Sequence, residues 1–235
     1  MKILLIVPTH FYSFRYPTFL SITDFPVGFA YLASSLRAAG FDVFGLNLNN
    51  DSSYDSPLQM LQDRISATVK DVQPDLICTG GLCTDYKFLK DAIHILRGIA
   101  PDTPIVMGGG IINNDAEYIF KLLRPDFCII GEAEEVLVDL ARKLQSGSKD
   151  FKEISNLGYW EAGHPKFTKE NFNYIDLNQR AFPDYEPFGI NEMLNKFSLA
   201  TRYLYRYTRP YPRPMPIVTA RSCPFQCTFC THHRR

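Results

Sequence analysis

Long apolar runs are missing from this sequence. No stretch approaches the roughly 18 consecutive apolar residues that a membrane-spanning helix needs, so the sequence is read as having no membrane partner. An export signal is missing as well: Lys2 is followed by only five apolar residues before Pro8, too few for the apolar core of a signal peptide. Excess charge of either sign is absent. Lys plus Arg number 25 and Asp plus Glu number 25, which excludes whole-molecule attraction to nucleic acid or an anionic surface. Cysteine is sparse, six in 235 residues, which excludes a disulfide scaffold and makes a reducing cytoplasm the simplest setting. Acidic residues disappear altogether from Thr201 to Arg235, where seven Arg lie. The first 200 residues thus keep 18 of the 25 basic side chains against all 25 acidic ones.

What is present is an alternation. Ile3–Val7 is a short apolar run that predicts a strand buried on both faces, and Phe41–Leu48, Asp75–Thr79, Pro104–Met107 and Asp126–Ile130 are read as further strands. Between and after them, helical spacing predicts helices over about 27–39, 56–71, 86–99, 116–123 and 134–145. Five strands alternating with helices predict an α/β fold: a flavodoxin- or Rossmann-like, doubly wound, five-stranded parallel sheet in the order 2-1-3-4-5. This unit is placed at residues 1–148. Residues 149–213 change character, with the only Trp (Trp160) and short alternating runs such as Tyr159–Pro165, and are read as a small hairpin and a linker. Residues 214–235 open a further unit, with Met215–Ala220 read as a strand.

In open parallel sheets ligands bind at the carboxyl ends of the strands. Here those ends carry Pro8-Thr9, Gly80-Gly81, Gly108-Gly109-Gly110 and Gly131. Glycine lets backbone approach a broad ligand and exposes N–H donors, although any such fold also needs tight turns there. Cys83 and Thr84 follow the third strand and are read as pocket lining. Cys78 and Cys128 lie inside apolar runs, where buried thiols are common.

The densest chemistry lies in Arg221-Ser222-Cys223-Pro224-Phe225-Gln226-Cys227-Thr228-Phe229-Cys230. Cys223, Cys227 and Cys230, spaced C-x3-C-x2-C, can hold three corners of a cubane iron–sulfur cluster and leave one iron open. They can also form a structural zinc site with His232 or His233 as fourth ligand, or remain unpaired thiols.

This segment resembles the signature of radical S-adenosylmethionine (SAM) enzymes, and more closely that of their cobalamin-dependent branch, R-G-C-P-x-x-C-x-F-C, with Ser222 in place of the usual Gly. The resemblance extends over nearly the whole chain. Pro26-Val27-Gly28 matches P-x-G before the first helix, and Leu36-Arg37-Ala38-Ala39-Gly40 matches L-x-x-x-G after it. Pro74-Asp75 stands before the third strand. Gly108-Gly109-Gly110-Ile111 keeps the two leading glycines of G-G-P-H, and Gly131-Glu132-Ala133-Glu134 matches G-E-x-E.

The resemblance implies cobalamin at the strand ends, contacted by Pro8, Thr9, His10, Gly28, Gly80, Gly81, Cys83, Thr84, Gly108, Gly109, Gly110, Gly131, Glu132 and Glu134. The D-x-H-x-x-G motif of domains that bind cobalt through histidine is missing. His10 is the nearest imidazole, its context does not match, and the lower face of cobalt is expected to meet no His.

The resemblance also implies a [4Fe-4S] cluster on Cys223, Cys227 and Cys230, SAM on its open iron, an electron donor such as flavodoxin or ferredoxin, and methyl transfer to an unreactive carbon of a small-molecule substrate. Cyclisation and rearrangement occur in the same branch. A catalytic barrel is expected beyond Arg235, so the chain reads as the amino-terminal portion of a longer enzyme that does not turn over by itself.

Two alternatives stand beside this. One is a non-catalytic cobalamin-binding module. The other is a zinc-stabilised nucleic-acid adaptor built on the interleaved Arg and Tyr of residues 202–213, which can stack on bases; those arginines are more simply read as partners for the acidic first unit or for an anion.

Overall fold

The computed structural model describes residues 1–9, 25–49, 56–171, 176–192, 194, 215–221, 223, 225 and 227–228. Its chain order is β1 (Lys2–Val7), α1 (Val27–Ala38), β2 (Asp42–Asn47), α2 (Pro57–Val72), β3 (Leu76–Gly80), α3 (Tyr86–Ile99), β4 (Ile105–Gly108), α4 (Gly110–Asn114), α5 (Ala116–Leu123), β5 (Phe127–Ile129), α6 (Glu134–Gln145), β6 (Leu157–Glu161) and β7 (His164–Phe167).

The sheet order is β2-β1-β3-β4-β5-β6-β7. The first five strands are parallel, in the expected 2-1-3-4-5 order. Alternation along β1 divides the core, because successive strand side chains point to opposite faces. Ile3, Leu5 and Val7 face α1 and α6, packing with Ala30, Ala33, Leu36, Leu137 and Leu140. Leu4 and Ile6 face α2, α3 and α5, packing with Leu61, Ile65, Phe88, Leu89 and Phe120. Both faces are covered, so β1 and β3 are apolar almost throughout. Local chemistry sets the helix ends. Ser56 caps α2 through its side chain, which accepts from the Gln59 N–H at 3.4 Å, with Pro57 at the first helical position, where its missing N–H costs nothing.

Three features differ from the sequence reading. The hairpin does not stand apart: β6 pairs antiparallel with β5, and β7 with β6, extending the sheet to seven strands. Its tight turn has positive φ at both Ala162 (51°) and Gly163 (80°), the geometry that matches strand twist in two-residue hairpins. Trp160 anchors it, stacked on Phe120 at 4.7 Å with its indole N–H donating to the Pro125 carbonyl at 2.7 Å.

Second, the glycine run after β4 is not a loop throughout. Gly108 ends the strand and Gly110 starts α4, a five-residue helix too short to show periodicity. Gly109 alone makes the turn. Third, Met215–Ala220 forms no strand with any described element. The carbonyls of Pro216 and Val218 are taken instead by tyrosine hydroxyls, from Tyr185 and from Tyr31, the latter at 3.3 Å.

The segment around residues 184–190 is docked. The Asp184 N–H donates to the Ala30 carbonyl at 2.9 Å, and Arg37 pairs with Asp184 at 2.8 Å and with Glu186. Phe188 fills the space beside Gly45, where a Cβ would lie 2.5 Å from its ring. Among the described residues no helix is long and apolar enough to cross a membrane.

Candidate functional site

Four parallel strands end side by side, and their carboxyl ends carry the sequence candidates. The strand connections reverse between β1 and β3, and such a switch point opens a crevice at the sheet edge. At β1, Pro8 is held through its carbonyl, which accepts from the buried Asn49 amide at 3.0 Å. Next to it the Thr9 hydroxyl oxygen is buried without a hydrogen-bond partner among the described residues. An orphaned buried hydroxyl is costly and marks a place where a ligand group can complete the pairing. His10 lies outside the described residues.

At β3, Asp85 turns back to accept from the Leu82 N–H at 2.8 Å, leaving the Leu82 side chain 61% exposed. Cys83 is exposed, and its sulfur accepts from the Asn114 amide at 3.4 Å; Thr84 lies in the same exposed turn. Gly80 and Gly109 have a packing role besides any toward a ligand. A Cβ on Gly80 would sit 2.4 Å from the Gly108 carbonyl oxygen, and one on Gly109, where φ is +84°, would sit 2.8 Å from the Gly81 backbone. The two strand-end loops therefore touch backbone to backbone. Gly28, in the first turn of α1, is exposed, and a Cβ there would meet nothing within 4 Å.

The turn after β5 is pinned by α4, whose Asn113 side chain accepts from the Gly131 N–H at 2.8 Å. Glu132 and Glu134 follow, and both meet Arg221, the residue two before Cys223. Arg221 bridges to Glu132 through one guanidinium nitrogen and to Glu134 at 2.5 Å through the other, and it lies over the Tyr31 ring at 4.8 Å. Glu134 is buried. Burial acts to lower the Arg221 pKa, but the hydrogen bond and charge of Glu134, then those of Glu132, outweigh it and hold it above the ordinary guanidinium value. Burial, then the neighbouring Glu134 charge, raise the Glu132 pKa against the opposing pull of Arg221.

In the sequence Arg221 and the Glu pair fall in separate motifs. Eighty-nine positions separate Arg221 from Glu132, and no local pattern joins them. The opposite charge balance of the two parts of the chain was the only available signal.

Cys223 and Cys227 are exposed and form no disulfide among the described residues, and Cys230, His232 and His233 lie outside the described residues. Among the described residues no three metal-ligating side chains converge. Cys78 and Cys128 belong to the core. Burial pushes the Cys78 thiol far up and that of Cys128 to about 12, so both stay protonated and are poor ligands, since metals take the thiolate. A groove of about 840 Å³ lies at the opposite end of the sheet, between α3 and the β6–β7 hairpin. Arg97 there pairs with Asp126 at 2.8 Å and Arg124 lies over Trp160 at 4.7 Å, and the groove faces the wrong end of the strands for a ligand.

Comparison with known proteins agrees with this geometry. The chain is 20% identical over 223 residues to an anaerobic magnesium-protoporphyrin IX monomethyl ester cyclase of Cereibacter sphaeroides, covering 88% of this chain and 31% of that protein. It is 26% identical over 215 residues to the enzyme of the same description from Rubrivivax gelatinosus, covering 88% and 34%. It thus spans about a third of the length of these relatives. Among solved structures it resembles the radical SAM methyltransferase TsrM from Kitasatospora setae with cobalamin and a [4Fe-4S] cluster bound, at a TM-score of 0.57 and 18% identity over 77% of this chain and 31% of that one. It also resembles the cobalamin-dependent SAM radical enzyme OxsB with aqua-cobalamin and SAM bound, at 0.61 and 17% over 84% and 25%. At these identities the structures establish the shared mostly parallel α/β fold.

The residues at the strand ends fit a corrinoid, which presents a broad apolar face rimmed by amides. The exposed Leu82 offers apolar surface, and the orphaned Thr9 hydroxyl a hydrogen-bond partner. The model of the B12 binding domain matches residues 24–141, and on that match, with the fold and edge just described, the chain belongs to the B12-binding domain family.

Proposed function

We propose that this chain is the cofactor-loading portion of a cobalamin-dependent radical SAM enzyme. The observation that carries the reading is the Thr9 hydroxyl, buried without a partner among the described residues, at the switch point of a B12-binding sheet. Pro8, Thr9, Gly28, the Gly80–Thr84 turn and Gly108–Gly110 line the cobalamin side; His10 is a contact expected from the sequence alone, and no histidine is expected below the cobalt. Gly131, Glu132 and Glu134 close that side toward the cysteine loop. Cys223, Cys227 and Cys230 are the chain's ligands for a [4Fe-4S] cluster whose open iron takes SAM. When bound, these cofactors supply methyl transfer and one-electron cleavage of SAM, while the protein orients them and excludes solvent. The whole protein, in the cytoplasm and fed by a flavodoxin or ferredoxin, methylates an unreactive carbon of a small molecule. Cyclisation is the second reading, favoured by the similarity to two magnesium-protoporphyrin IX monomethyl ester cyclases.

Anaerobic titration of the chain with hydroxocobalamin, followed by UV–visible absorption, tests the first step. Saturation near one equivalent with a base-off spectrum is the expected result. No saturable change removes cobalamin from the reading.

A further inference from the structure

The cysteine loop and the cobalamin edge are far apart in sequence, yet a short segment joins them through three side chains. Residues 215–221 have no strand partner among the described residues, and Met215, Ile217 and Val218 are 46%, 62% and 37% exposed. Packing therefore does not hold this segment. It is held by the hydroxyl of Tyr185 on the Pro216 carbonyl, the hydroxyl of Tyr31 on the Val218 carbonyl, and Arg221. Only Arg221 brings charge. Its side chain is 17% exposed although it sits at the end of an exposed segment, and the Glu134 side chain it meets is 7% exposed.

The pairing is divided: one nitrogen to Glu132, the other to Glu134, with the Tyr31 ring beneath. A planar fork can satisfy two carboxylates at once, which an ammonium cannot. Both carboxylates leave the same turn, which also ends β5, lies beside the β4 loop and is pinned by Asn113. Arg180 adds a second arginine to the same acidic turn, meeting Glu135 at 2.6 Å.

We propose that Arg221 is a positioning residue: its guanidinium, shared between Glu132 and Glu134, locks the start of the cysteine loop onto the β5–α6 turn, so that the loop and the strand-end edge form one site. Any ligand that orders the strand-end loops then also orders the loop bearing Cys223 and Cys227, and the distance between the two cofactor positions is set by this ion pair as well as by chain connectivity. The ordering of the cysteine loop by cobalamin rests on the functional reading above; the lock itself does not.

Hydrogen exchange of the full chain, read on peptides covering 215–221, tests both parts. Without any cofactor, Arg221→Ala is expected to speed exchange of this segment about tenfold or more, the scale of losing a largely buried charge-assisted pair. β1, β3 and β4 keep their protection. Arg221→Lys recovers part of the protection, because one ammonium serves one carboxylate at a time. Tyr31→Phe, which keeps the ring beneath Arg221 and loses only the Val218 contact, has a smaller effect. Equal exchange of 215–221 in wild type and Arg221→Ala overturns the lock.

With saturating hydroxocobalamin, the segment is expected to slow further in the wild type but not in Arg221→Ala, while the strand-end loops slow in both. Equal slowing of 215–221 in both proteins overturns the coupling. If hydroxocobalamin does not bind at all and the cofactor-free exchange behaves as expected, the lock stands and the cobalamin reading of this edge falls, and with it the coupling.

Discussion

The two ends of the sheet are built from the same strands but use their polar groups in opposite ways. At the amino end, side chains close the backbone. The Asp75 carboxylate accepts from the Lys2 N–H at 2.7 Å, and the Lys2 ammonium donates to the Val72 carbonyl at 3.0 Å. The Asp126 carboxylate accepts from the Ile105 N–H at 2.7 Å and from Arg97 at 2.8 Å. At the carboxyl end the side chains are removed or left open. Gly80 and Gly109 let two loops touch backbone to backbone, Leu82 and Cys83 are exposed, and the Thr9 hydroxyl is buried without a partner among the described residues. The amino end is satisfied and contributes stability. The carboxyl end keeps exposed apolar surface and, among the described residues, one unpaired buried hydroxyl beside its satisfied turns, as binding edges do.

The sharpest way to break this contrast is to fill the carboxyl end. Gly80→Ala drives a methyl group to 2.4 Å from the Gly108 carbonyl oxygen, where backbone must move. We expect a stability loss of about 3 kcal/mol by urea unfolding, the upper part of the overpacking range, together with loss of hydroxocobalamin binding. The matched change at the amino end is Asp126→Ala. It strips the Ile105 N–H and Arg97 of their partner, costing about 2 kcal/mol. The hydroxocobalamin titration of the folded variant is expected to match the wild type, and a weakened titration would mean that the two ends are not independent.

The same contrast decides what was legible in the sequence. The five parallel strands were: strands buried on both faces are apolar nearly throughout, as Ile3–Val7 and Leu76–Cys78 are, while β2 at the sheet edge alternates, with Asp42 and Phe44 exposed. The strand order followed from handedness, and the hairpin's existence from Tyr159–Pro165, but not its attachment. β6 joins β5 because Gly158 leaves room for Cys128, whose sulfur would lie 2.5 Å from a Cβ, and nothing local to Gly158 announces that. At the site, glycines at strand ends were legible as punctuation, though not the contact of one loop with the next. The Arg221–Glu134 pair was illegible for the same reason: pattern reading works over a helix turn or a strand, and this pair closes a loop longer than any element. Met215–Ala220 meets no strand partner among the described residues: apolar, β-branched composition states a capacity for pairing, while a ladder needs a neighbour.

A smaller change sharpens the comparison at a single atom. Thr9→Val replaces the orphaned hydroxyl by a methyl group of nearly the same shape. Burying an unpaired hydroxyl costs on the order of 1 kcal/mol in proteins, so the cofactor-free variant should be more stable than the wild type by about that amount. The same change removes the group offered to the ligand and should weaken hydroxocobalamin binding about five- to tenfold. A variant that gains stability and keeps its affinity would show that Thr9 is merely a packing imperfection.

The smallest expected effect concerns Glu132. Burial and the Glu134 charge raise its pKa above the ordinary carboxylate value. The folded state therefore holds this proton to higher pH than the unfolded chain does. Its contribution to stability is fully present below the ordinary carboxylate range, around pH 4, and is lost as pH rises through the raised value. Glu132→Gln removes that decline, so the variant should lose less stability than the wild type between pH 4 and neutrality. The difference should stay under about 1 kcal/mol, because the side chain is 49% exposed and its charge is screened. Arg221 opposes the shift, so Arg221→Ala should steepen the decline. Urea unfolding of the three proteins across this range measures both slopes. If Arg221→Ala leaves the slope unchanged, Arg221 does not bear on the Glu132 charge in solution, and the carboxyl end is held by Glu134 alone.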